Sequence, residues 1–333
     1  MGTLAARVDA AAGRAGFSGV VRVDRGDEVR VLAAYGCADR AHGVPLTPDH
    51  RLGTASLTKG LTAITVMSLV ADGALSLGTT ARSVLGDDLP LIDDGVTVEH
   101  LLSQRSGIGD YLDEELLESA DDHVMPVPVH RLESSDDYLA ILGGHPQRTP
   151  PGTEVRYNNG AFVVLAVLAE RVSGVPFAEL VVERVCDPAG LAATRFLRMD
   201  ELPGDAARGY LDADGLRTNV LHLPVRGSGD GGCFTTADDL RTLWLALLDG
   251  RLLPERWVQE MRRPRVEPVG GSLGYGLGLW LHASGALELH GYDAGAASWT
   301  VHDPASASTW TVLSNVTGGV RDVIPVLADD LPG

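Results

Sequence analysis

The period at which apolar residues recur changes along the chain, and each change marks a different kind of element. From Phe17 to Tyr35 branched aliphatics fall in two runs, Val20, Val21, Val23 and then Val29, Val31, Leu32, on either side of Asp24-Arg-Gly-Asp27. That pattern predicts an N-terminal β-hairpin. From Ser56 onward Leu57, Leu61, Ile64, Met67 and Val70 recur at three and four, and Asp72-Gly73 closes the stretch as a helix C-terminus. Ser56 therefore falls at a strand-to-helix junction.

Residues 76 to 204 are mostly helical in pattern, with capped segments at Thr97–Gln104 and Ser134–Leu142 and an apolar run at Gly160–Val172. After a glycine-dense loop at Gly227–Gly232, Thr236-Ala-Asp-Asp239 caps a helix reaching about Asp249, and Pro254–Met261 reads as another. Strand patterns return at Tyr275–His282, Ala286–Tyr292, Ala297–His302 and Thr309–Asn315, and Val320–Leu331 reads as a closing helix. The expected fold is α+β: one antiparallel sheet shared by residues 1–75 and 205–333, flanked by N- and C-terminal helices, with an all-helical domain, 76–204, inserted and the active site at their interface.

Composition narrows the function. With 44% hydrophobic residues in 333 the chain can build a large core. A formal net charge of −18 gives nucleic acid or an anionic membrane surface no electrostatic purchase, so neither is an expected partner. The first residues lack the apolar stretch of a secretory signal, and the expectation is a cytoplasmic protein. The longest apolar run, Ala161–Ala169, is too short to span a membrane. Cys37, Cys186 and Cys233 are scattered, and the ten histidines, His123 and His130 among them, form no metal motif, so neither metal nor cofactor is expected.

Of 27 basic residues, one is lysine: Lys59. A GC-rich coding background would give an arginine excess, but arginine is never deprotonated under working conditions whereas a lysine can be pushed down to serve as a base. Ser56-Leu-Thr-Lys59 puts hydroxyl and amine on one helical face, beside a helix N-terminus that favours developing negative charge. Alone, Ser-x-x-Lys arises often by chance. Tyr157-Asn158-Asn159 precedes the apolar helix and, alone, reads as a cap with a packing tyrosine. The strand Leu287–Tyr292 followed by Asp293-Ala-Gly295 offers backbone N–H groups for an oxyanion hole.

In this order these elements resemble the serine β-lactamase, DD-peptidase and esterase superfamily, nearest to its class C branch. The likeness extends to Phe17-Ser-Gly-Val-Val21, Thr47-Pro-Asp49, His100-Leu-Leu-Ser103, Ser106-Gly-Ile108, Asp230-Gly-Gly232 and Thr235-Thr-Ala-Asp-Asp-Leu240. The resemblance implies acylation of Ser56, proton shuttling by Lys59 and Tyr157, and acyl contact by Asn159. It implies an oxyanion hole from the N–H groups of Ser56 and Tyr292. The family's third motif, Lys-Thr-Gly or His-x-Gly, falls on Leu289-His290-Gly291, with histidine one position late. Either a small shift of the strand returns His290 to the site, or leucine stands where relatives keep a cation, which removes a carboxylate anchor and tilts the substrate toward neutral esters or amides. Gln104-Arg105 also departs from the family and has no assigned role, and Asp110 and Tyr111 read as solvated loop residues.

The expected function is that of a serine hydrolase cleaving a small-molecule ester or amide, esterase-like. Alternatives are a β-lactamase or D-amino-acid peptidase, an acyltransferase using an alcohol or amine acceptor, and a catalytically silent penicillin-recognising module. Gly270-Gly-Ser272-Leu-Gly274 matches a nucleophile elbow and Gly227-x-Gly229-x-x-Gly232 a dinucleotide loop, but each lacks its flanking elements. The oligomeric state is not legible.

Overall fold

A computed structural model describes residues 2–114, 117–267 and 273–328. Its strands are β1 (Gly19–Arg25), β2 (Glu28–Tyr35), β3 (Cys37–Asp39), β4 (Val44–Pro45), β5 (Leu52–Gly53), β6 (Phe234–Thr235), β7 (Gly274–Tyr275), β8 (Trp280–Leu281), β9 (Leu287–Asp293), β10 (Ala296–Asp303) and β11 (Ser308–Ser314). Seven form one sheet in the order β2-β1-β11-β10-β9-β8-β7, so the chain's two ends pair through β1 and β11. The fold is α+β with an antiparallel sheet. The hairpin turn falls at Gly26, in the left-handed region that glycine adopts without strain.

The helices are α1 (Leu4–Ala15), α2 (Thr58–Ala71), α3 (Ala81–Leu85), α4 (Val98–Leu102), α5 (Ser135–Leu142), α6 (Asn159–Ser173), α7 (Phe177–Val181), α8 (Asp187–Ala189), α9 (Ala237–Leu248), α10 (Glu255–Arg262) and α11 (Ile324–Ala328). Side-chain caps start several where the sequence placed them. Thr97 Oγ1 accepts from His100 N–H at 3.2 Å, Asn158 Oδ1 from Ala161 N–H at 2.7 Å and Thr236 Oγ1 from Asp239 N–H at 3.2 Å. Helix α2 is buried on every side from Thr58 to Val70, between the sheet and α6. One apolar cluster runs from Val20 through Leu57 and Ile64 to Val163, while Val8, Trp310 and Leu327 pack the sheet's other face against α1 and α11.

Two elements differ from the sequence reading. Tyr275–His282 is not one strand: β7 and β8 form a tight hairpin around Gly278, whose φ of 77° reverses the chain. The closing helix begins only at Ile324, because Pro325 lacks an N–H and is accommodated in a first helical turn. Its expected end at Leu331, and the elbow-like Gly270–Ser272, lie outside the described residues. Gly229 is explained by contact: a Cβ there would sit 2.1 Å from the Phe162 carbonyl oxygen of α6. Among the described residues no single helix is long and apolar enough to cross a membrane.

Candidate active site

Strand β5 delivers the chain to Thr54, whose backbone N–H and Oγ1 both donate to the Cys233 carbonyl at 2.9 Å. Ser298 Oγ donates to the Thr54 carbonyl at 2.5 Å. These bonds hold Ala55 at φ 48°, a conformation that costs a non-glycine residue on the order of 1–3 kcal/mol. Ser56 follows in a 3₁₀ turn leading into α2, half-buried, with buried residues on both sides. The strained turn thus presents one hydroxyl to a cavity.

Lys59, only 3% exposed, brings Nζ to 2.8 Å from Ser56 Oγ, 2.7 Å from Asn159 Oδ1 and 2.8 Å from the Asp230 carbonyl. Two of these partners are carbonyl oxygens, which only accept. A neutral amine has two N–H donors and one lone pair, so donating to both carbonyls leaves the lone pair aimed at the serine hydroxyl. The ammonium is equally satisfied, donating to all three. A proton can therefore pass from Oγ to Nζ without disturbing the other contacts. Burial depresses the Lys59 pKa, although Asp230, Glu114, Asp110 and Asp293 oppose it, and so favours the neutral form.

Tyr157 is hydrogen-bonded to Ser56, and its ring centroid lies 4.8 Å from Lys59 Nζ. Burial and then the charge of Glu114 raise the phenol well above its ordinary value, so the group stays protonated and suits relay rather than standing base. The segment is clamped from a place where the sequence offered no role. Gln104 Oε1 accepts from Asn158 N–H at 2.8 Å and the Gln104 carbonyl from Arg156 N–H at 2.9 Å. Asn159 Nδ2 donates to the Leu112 carbonyl at 3.1 Å and to Glu114 Oε1 at 3.0 Å, which fixes its Oδ1 toward Lys59.

Asp110 and Tyr111 are not solvated loop residues. The Asp110 carboxylate accepts from Asn159 N–H at 2.6 Å and Gly160 N–H at 2.9 Å, closing the N-terminus of α6. The Tyr111 hydroxyl donates to the Asp230 carboxylate. A partner's identity carries no sequence signal where its backbone is used, as at Asp230. Proximity of Asp110 to Asn159 needed the fold.

The third motif resolves against His290. The β9–β10 register runs unbroken from Leu287 opposite His302 to Asp293 opposite Ala296, with no bulge to shift the strand. Side chains alternate faces along it. Gly291 faces Ser56, since a Cβ there would lie 2.4 Å from the Ser56 nitrogen, and Leu289 packs against Gly60 of α2. His290 therefore points to the opposite face. It stacks between Trp299 at 4.5 Å and Trp280 at 5.2 Å, and its Nδ1 lies 2.7 Å from Glu288 Oε1. Leucine stands where relatives were expected to carry a cation.

The backbone orientation at Tyr292 follows from strand pairing. The Ala286 carbonyl accepts from His282 N–H across the β8 edge, so every second residue onward, including Tyr292, turns its N–H to that edge. Strand β8 pairs with Leu287 and Glu288 alone, so the Tyr292 N–H is left unpaired by it.

Ser56 opens on a narrow cavity of about 50 Å³, lined by Met125, Met199, Leu223 and Tyr138 and by Glu114, Asp230 and Asp293. His123 also lines it. A side cavity toward Asp293 adds Arg321, the one arginine or lysine among the described residues lining these spaces. Burial pushes Asp293 up to about 7 and Asp110 up to about 6. Such carboxyls favour the fold when protonated: their contribution is full below the ordinary value of 3.8 and is lost as pH rises through about 6 to 7. Buried His302, lowered to about 4, acts with the opposite sign over the same range, so the test is the difference: the Tm of Asp293→Asn relative to wild type should rise as pH rises through about 6 to 7, and an unchanged difference would contradict the assignment. Among the described residues no group of His, Cys, Asp or Glu is arranged to hold a metal.

A chain of this fold with these elements in order belongs to the beta-lactamase family, whose model matches residues 4–329, and is a serine hydrolase. Among solved structures, a penicillin-binding protein from Bacillus halodurans is 33% identical with a TM-score of 0.91, covering 97% of this chain and 100% of its own. A D-aminopeptidase from Brucella canis is 27% identical over 92% of this chain, which spans 58% of that relative's length. EstCE1, a hydrolase with promiscuous acyltransferase activity, shares the fold at TM-score 0.78 and 22% identity, with coverage of 97% of this chain and 98% of its own.

Proposed function

We propose that this protein hydrolyses esters or amides of small molecules through an acyl-Ser56 intermediate. The observation that carries this reading is the position of Lys59 Nζ, shared between Ser56 Oγ and two carbonyl acceptors. Neutral Lys59 takes the Ser56 proton as Oγ bonds to the substrate carbonyl carbon, and the carbonyl oxygen becomes an oxyanion held by the N–H groups of Ser56 and Tyr292. As the carbonyl re-forms, the bond to the leaving alcohol or amine breaks. The leaving group takes its proton from Lys59 relayed through Tyr157. Water then adds to the acyl carbon, gives up a proton along the same path, and releases the acid and free Ser56.

Leu289 in place of a cation and the apolar walls at Met125, Met199 and Leu223 favour an uncharged ester or amide. A second reading, an amide of an amino acid with a free amine, is favoured by Glu114 and Asp293 at the cavity. The D-aminopeptidase relative makes it chemically apt. A panel of p-nitrophenyl esters, D-amino-acid amides, a D-Ala-D-Ala peptide and a chromogenic cephalosporin separates them. Ester turnover exceeding that of the peptide and cephalosporin is expected. Faster turnover of the free-amine amides, lost in Glu114→Gln, would establish the second reading. Fast cephalosporin turnover without esterase activity would overturn both. An added alcohol that diverts product into a new ester would identify acyl transfer.

A further inference from the structure

A second, more open cavity adjoins the one at Ser56. Met125, His123 and His222 line both, and the second, of about 530 Å³, is otherwise lined by Asp121, the segment Val124–His130 and Leu221. Its rim carries two apolar side chains left in water, Val124 at 83% and Leu221 at 78% exposure. Its wall is fixed by the backbone: the Val129 carbonyl accepts from Val225 N–H at 3.0 Å and the Leu132 carbonyl from Arg226 N–H at 3.2 Å. Apolar surface on a pre-formed groove that shares its walls with the nucleophile's cavity suits an apolar part of the substrate.

The side of the scissile bond follows from the proton path. A leaving group must reach the Tyr157 hydroxyl, and Tyr157 stacks on Trp280 of β8, whereas Met125, Met199 and Leu223 wall the cavity on which Ser56 opens. The remainder that enters it is the acyl group. We propose that the two cavities form one acyl groove, making this enzyme selective for acyl groups with an extended apolar chain over acetyl groups; this rests on the acyl-Ser56 reading above.

The test compares kcat/KM for p-nitrophenyl acetate, butyrate and octanoate, which share one leaving group, in the wild type, Met125→Trp and Leu221→Trp, with Ser56→Ala as the blank. Each buried methylene is worth up to about fourfold, so the octanoate-to-acetate ratio is expected to reach at least about tenfold. Tryptophan at Met125, which lines both cavities, should lower that ratio by about tenfold. At Leu221, an exposed position that tolerates substitution, tryptophan should lower it less. Ser56-dependent hydrolysis that is flat with chain length, or a ratio unmoved by either variant, overturns the acyl groove while leaving the acyl-Ser56 reading intact. Hydrolysis that persists in Ser56→Ala, or is absent with every ester, overturns the acyl-Ser56 reading and the groove with it.

Discussion

Replacing Lys59 with arginine should abolish turnover nearly as completely as replacing it with alanine, a loss of about 10³-fold or more in kcat/KM. Lys59 is the chain's only lysine, among 27 basic residues, and its Nζ touches the serine oxygen directly. Were its positive charge alone required, arginine would restore part of the activity. A removable proton is the requirement, and a guanidinium does not give one up. The pH profile supplies the complementary readout. Because burial depresses the Lys59 pKa, the neutral base persists to lower pH than a free lysine allows, and activity should fall as pH drops through that depressed value. Circular dichroism and Tm of both variants check that the fold is retained. Substantial activity in Lys59→Arg would contradict a base role.

The second large effect is expected at Gly291. A Cβ there would stand 2.4 Å from the Ser56 nitrogen, 2.6 Å from the Thr54 oxygen and 2.7 Å from the Leu57 nitrogen. All three are backbone atoms, so no side-chain rotation relieves the clash. Gly291→Ala must therefore push β9 away from the Ser56 turn, and the Tyr292 N–H moves with the strand. Losing one oxyanion donor typically costs 10²- to 10³-fold in kcat. The variant is expected to lose about that much, with a lowered Tm from the displaced strand. By contrast His290→Gln, on the other face of the same strand, should leave kcat within a few fold, because its contacts are the side chains of Trp280, Trp299, Tyr292 and Glu288 and none is to Ser56, Lys59 or Tyr157. Steady-state kinetics on one ester compares the two directly.

These two residues also show where sequence reasoning reached and where it stopped. Ser56 and Lys59 are legible as a candidate pair because the chemistry needs a hydroxyl and a removable proton one helical turn apart, whereas Tyr157 and Asn159, which alone read as a packing tyrosine and a cap, enter only through the family resemblance. The helix starts at Thr97, Asn158 and Thr236 were legible for a local reason, their caps. For His290 the sequence leaves two placements open and the fold decides between them: once Gly291 faces the nucleophile, strand alternation sends its neighbour to the other face. Gln104, Asp110 and the Asp230 carbonyl were not legible. They reach the site from loops far along the chain, and all three act through or upon backbone groups, which any residue supplies.

The most direct test of the account is covalent labelling. A fluorophosphonate probe should add one adduct per chain, located by peptide mass on the fragment holding Ser56, and Ser56→Ala should neither label nor hydrolyse esters. An adduct on any other residue, or undiminished hydrolysis by Ser56→Ala, would contradict the assignment of Ser56 as the nucleophile.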